Sequence, residues 1–126
     1  MQYADTHAAK ETPLSPEGKA YVHDGHLPLS DVTMKATGNY VSQTLVEIEG
    51  KIGNTGDRAI ETVEVYCIFS DGYGQMMFRP RVAIVSPRMG GLKPGESKAF
   101  RLPFDEIPDT WNQKMPQLVI ASVKFS

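Results

Sequence analysis

Between Val63 and Gly74 the chain reads VEVYCIFSDGYG, a β-branched and aromatic run that stops in a two-glycine turn carrying an aspartate. A run of this kind is the signature of a central strand in a small antiparallel β-domain, leaving into a hairpin. No comparable signal marks a catalytic centre, a metal cage or a phosphate cradle elsewhere in the sequence. With 126 residues, the chain makes one domain with a core large enough to need no covalent staples. The single cysteine, Cys67, falls mid-strand in an apolar alternation and reads as a small core residue. A net charge of -2 provides no field that would recruit nucleic acid or an anionic membrane.

The chain divides near Pro28. Residues 1–28 hold three prolines and no sustained apolar periodicity, and they are expected to form a mobile or loosely docked N-terminal arm or linker. Residues 29–126 carry regular strand patterns. Val32, Met34 and Ala36 alternate with polar residues in a first strand, and Gly38-Asn39 offers turn chemistry after it. In a second strand, Thr44 to Gly53, Val46, Ile48 and Ile52 point one way and Glu47, Glu49 and Lys51 the other. Gly50 falls on the inward side, where a missing side chain marks a bulge or the close approach of a neighbour.

The third strand, Ile60 to Ser70, places Val63, Val65, Cys67 and Phe69 inward. A fourth, Gln75 to Val85, is broken by Pro80, which points to a sheet edge or a bulge. The fifth runs from Ser97 to Phe104 through Phe100 and Leu102, and the last from Gln117 to Phe125, with Val119, Ala121, Val123 and Phe125 expected on its inner face. Between them, Asp109 can cap one short helical turn extending to Lys114, with Trp111 plugging the end of the domain. About seven short strands and almost no helix indicate an all-β, immunoglobulin-like antiparallel sandwich.

The order Gly50, Asn54, Gly56, then the strand leading to Phe69 and Asp71, then Leu92-Lys93-Pro94-Gly95-Glu96 and Phe100 resembles the FxLYD-type and related immunoglobulin-like modules of bacterial envelope proteins. The likeness spans roughly Leu45 to Phe125. Cys67-Ile68-Phe69-Ser70-Asp71 departs from the name-giving motif, without its leading phenylalanine and its tyrosine. The resemblance implies a membrane-anchored, extracytoplasmic domain, periplasmic or on the cell surface, whose anchor lies outside this sequence, with no catalysis.

The residues agree with a non-catalytic reading. All three histidines, His7, His23 and His26, lie in the arm, and there is no Gly-x-Ser-x-Gly elbow for nucleophilic chemistry. Glu47 and Glu49 stand two apart on an outward strand face, a solvated arrangement and not a tuned acid/base pair. His23 and His26, three apart around Asp24, could ligate zinc or copper, but an arm lacks the rigid surroundings that fix imidazole ligands. No catalytic residue, metal site or cofactor is therefore assigned.

What stands out is a loss of outward polarity along the third strand, which passes from Thr62 and Glu64 to Tyr66 and Ile68. If the third and last strands share a sheet, Tyr66, Ile68, Leu118 and Ile120 form an apolar outer face. That face would meet a protein partner or a second copy, or be covered in cis by Tyr21, Val22, Leu27 or Leu29. The expected function is accordingly a protein-interaction or assembly domain of the bacterial envelope. Two alternatives stay open: a structural spacer behind a membrane anchor, and a small metal- or ligand-binding protein using the histidine arm.

Overall fold

A computed structural model describes residues 13–38 and 44–126. Helix α1 (Pro16–His23) precedes strands β1 (Leu29–Gly38), β2 (Thr44–Gly53), β3 (Ile60–Ser70), β4 (Met76–Phe78), β5 (Arg81–Val85), β6 (Ser97–Phe104) and β7 (Gln117–Phe125), with a 3-10 turn at Pro87–Met89. The strands build two antiparallel layers, so the chain is an all-β sandwich. One layer has the order β1-β2-β6; in the other, β3 is central, with β7 on one side and β4 and β5 on the other. The turn at Asn39 lies outside the described residues.

The core lies where the alternation of β2 and β3 places it. Val46, Ile48 and Ile52 of β2 and Val63, Val65, Cys67 and Phe69 of β3 are completely shielded from water. Gly50 sits opposite Phe100 in the β2–β6 register. A Cβ at Gly50 would lie 2.7 Å from the Phe100 ring, so the missing side chain is the space the ring occupies. Pro80 separates β4 from β5 at the edge of the β3 layer, and its carbonyl still accepts from the Cys67 amide at 2.9 Å. Burial pushes the Cys67 thiol up to about 12.

Only the unfolded chain releases the Cys67 proton near the ordinary thiol value of 9.0. Stability from this group is therefore complete below that value and falls as the pH rises from there toward 12. The expected outcome at pH 8 is no labelling of the native protein by a thiol reagent, and stoichiometric labelling in denaturant. Rapid labelling of the native chain would contradict the sealed core.

Two elements differ from the sequence reading. Within the expected arm, Pro16–His23 is a docked helix. Ser15 caps it by accepting from the Gly18 amide at 3.0 Å, Pro16 pre-sets its first turn and Glu17 sits at its positive end. The helix is too short to persist alone and is held by Tyr21, which is buried together with Leu27. Second, no helical turn forms at Asp109–Lys114. There the Asn112 side chain accepts from the Lys114 amide at 2.9 Å, and Trp111 makes a β-bridge to Asp71. These local bonds compete with the helix. Trp111 nonetheless plugs the sandwich, 6% exposed, with its Nε1 donating to the Lys114 carbonyl.

Candidate interaction face

The third and last strands do share a sheet, but the four residues expected on its outer side are not brought together. β3 and β7 pair Glu64 with Ser122 and then Val65 with Ile120, which leaves Ala121 as an extra residue on β7. This bulge reverses the facing of everything before it. Leu118 and Ile120 pair with Cys67 and Val65 and pack against the core. Val119, expected inside, pairs with Tyr66 and is 37% exposed. Of the four candidates, Tyr66 and Ile68 remain on the outer face, and Val119 takes the place of Leu118 and Ile120.

The polar part of this face is tied together by β5. Arg81, with 11% of its side chain exposed, donates from Nε to Glu64 Oε1 at 2.9 Å and from a terminal nitrogen to the Tyr66 hydroxyl at 3.1 Å. Ser122 donates to the same Glu64 oxygen at 3.2 Å. Burial alone would lower the Arg81 pKa, but its hydrogen bonds to Tyr66 and Glu64 outweigh that and hold it above its ordinary value. The guanidinium of Arg79 lies 4.1 Å from the centre of the Tyr66 ring, a cation–π stack that stiffens the tyrosine. Beyond Tyr66 the face turns apolar through Ile68 and Val119.

The arm does not use Tyr21 to cover these residues. The Tyr21 hydroxyl donates to Asn54 Oδ1 at 2.6 Å, and the ring stands edge-on to Phe125 with centroids 5.3 Å apart. A Cβ at Gly56 would lie 2.2 Å from the Tyr21 oxygen, so this glycine makes room for the helix. Asn54, only 1% exposed, donates to the carbonyls of Arg58 and Leu92. Pro13 and Ser15 lie over the polar half of the outer face, enclosing with Thr62, Glu64, Ser122 and Lys124 a groove of about 280 Å³. A second, open groove of about 390 Å³ lies on the other sheet, among Asp31, Glu49, Lys51 and Arg101. Its acidic and basic groups pair with one another.

The other sequence candidates gather into no site. His23 is exposed, 3.9 Å from Asp24, while the His26 ring packs 4.8 Å from that of Tyr21; His7 lies outside the described residues. Among the described residues no group of three His, Cys, Asp or Glu side chains is placed to hold a metal ion. Glu47 and Glu49 of β2 both reach Arg101 of the neighbouring strand. Asp71 turns the β3–β4 hairpin by accepting from the amides of Tyr73 and Gln75. No helix among the described residues is long and apolar enough to cross a membrane.

No protein-family model matches the chain, and no curated protein matches it. Among solved structures it is similar to the Putative ApaA Protein from Bordetella pertussis, at 17% identity and a TM-score of 0.47, over 79% of this chain and 92% of that one.

Proposed function

We propose that the chain is a non-catalytic protein-interaction or assembly module that meets its partner through the outer face of the β3 layer. The observation that carries this reading is the Tyr66–Arg79 stack flanked by Ile68 and the exposed Val119. Tyrosine and arginine dominate binding energy where rigid side chains lose little freedom on contact. Here the ordering is already made, because Arg81 fixes the tyrosine hydroxyl and Arg79 covers part of its ring. Neighbouring apolar groups supply the dry contact such an anchor needs. The likeness to FxLYD-type modules supports an envelope location behind an anchor, and with it the absence of catalysis.

A photo-crosslinking residue at Ile68 tests the face in the native host. The control carries the same group at Lys51, on the outer side of the other sheet. The expected outcome is a covalent adduct to another protein from position 68 and none from position 51, with Ile68→Glu folded but unable to compete for that partner. Loss of the adduct from position 68 in well-expressed, folded protein overturns the reading and favours the spacer.

A further inference from the structure

We infer that the free edge of β7 is a self-pairing site, through which two copies of this chain join their β3 layers into one continuous antiparallel sheet. This concerns the backbone edge of the sheet, a different contact from the one proposed for the outer face, although Val119 belongs to both. Among the described residues four strand edges bound the sandwich, and three of them carry features that prevent pairing. β1 shifts its register between Ser30 and Thr33, where Asp31 adopts φ 53°. β6 holds Pro103 together with Lys98 and Arg101. The β4–β5 edge is broken by Pro80 between Arg79 and Arg81.

β7 has none of these from Gln117 to Ile120; its one irregularity is the bulge at Ala121, and the sequence QLVIASV contains neither charge nor proline. Among the described residues it pairs with β3 on one side and with no strand on the other. Its open stretch is bounded at both ends. Pro116 precedes it, and Gly18 of α1 lies against Val123 while Lys124 is engaged by Glu61 at 3.0 Å. The accessible window is thus Gln117 to Ser122, with Val119 near its centre.

The window is self-complementary, which identifies a second copy as the occupant. A two-fold axis at Val119 sets Val119 against Val119, Leu118 against Ile120 and Gln117 against Ala121. No pair opposes like charges, and the contact closes on itself. Ala121, the bulged residue, ends the flat stretch where α1 would begin to obstruct a longer pairing. The contact is short, so association is expected in the micromolar to millimolar range, of order 10⁻⁵ to 10⁻³ M. Pairing would also bring two Tyr66–Val119 surfaces side by side on one sheet.

Sedimentation equilibrium of the full chain over that range tests this. The expected result is a monomer–dimer equilibrium. Val119→Lys and Val119→Asp should each be monomeric with unchanged folds, since the side chain already points to solvent, and an equimolar mixture of the two should dimerise. Val119→Cys should form a covalent dimer under mild oxidation, because antiparallel partners bring Cα atoms within disulfide reach; Ala83→Cys, exposed on the opposite edge, should not. A chain monomeric throughout overturns the proposal, as does a dimer that Val119→Lys leaves intact. A dimer dissociated by Ile68→Glu that gives no Val119→Cys crosslink assigns self-association to the face instead.

Discussion

Asn54→Ala is expected to cost about 3–5 kcal/mol, since each buried group left without its partner costs about 1–3 kcal/mol. Four groups lose a partner together: the Arg58 and Leu92 carbonyls, the Gly56 amide and the Tyr21 hydroxyl. Asn54 itself is only 1% exposed, while the Leu92 carbonyl keeps the Ile60 amide and the Arg58 carbonyl the Tyr21 hydroxyl as partners. Against a typical total of about 5–15 kcal/mol for a domain, this is a large fraction. Tyr21→Phe keeps the ring and removes a hydroxyl that donates to Asn54 and accepts from the Arg58 amide, and should lose about 1–2 kcal/mol. Urea denaturation of both variants and of the double variant measures the coupling. An Asn54→Ala loss below that of Tyr21→Phe would show that the loop is not organised around the asparagine.

The second large effect is expected at the other end of the core. Phe69 is completely buried and meets the rings of Phe78, Phe104 and Trp111 at centroid distances of 5.5, 5.4 and 5.7 Å. Phe104 belongs to the opposite layer, so this cluster joins the two sheets. Phe69→Ala should destabilise by about 3–5 kcal/mol through lost transfer energy and the cavity left behind. Because Trp111 loses a wall of its pocket, its emission should shift to the red and its near-ultraviolet dichroism should weaken before global unfolding. Phe69→Leu should retain much of both signals. An unchanged tryptophan spectrum in Phe69→Ala would contradict the packing.

These two positions show unequal legibility. Phe69 could be placed by alternation alone, because β3 keeps strict inward periodicity from Val63 to Phe69 and period two is a local property. Gly50 was readable for the same reason, as a gap in an otherwise apolar face. Asn54 could be read only as a turn residue: its four bonds join segments up to 38 residues apart, and no local pattern reports such distances. The helix Pro16–His23 had its start signals in Ser15, Pro16 and Glu17, yet its eight residues present no apolar stripe. It is fixed by one tyrosine reaching a distant loop, a tertiary effect that overrides weak propensity.

The outer face was half legible for a similar reason. Tyr66 and Ile68 lie beyond the irregularity at Glu61, in a stretch of strict alternation, so their orientation follows from Val63 and Val65. Leu118 and Ile120 were counted back from Phe125 through Ala121, where one residue is left unpaired against β3. Parity counted across a bulge inverts, and QLVIASVKF is apolar enough on both sides to conceal the change. The clue was Ser122 and Lys124 standing opposite Glu64 and Thr62, polar with polar.

The docking of α1 has a mechanical meaning. A pulling force applied upstream of Ser15 does not reach β1 first. It meets the Tyr21 hydroxyl lodged against Asn54, and behind it the backbone bonds from Thr55 to His26 and from Gly53 to Pro28. Those contacts load one after another and can reform once the pull relaxes. The β1–β2 ladder is strained only when they have all yielded, which makes the helix a reversible fuse in series with the sandwich.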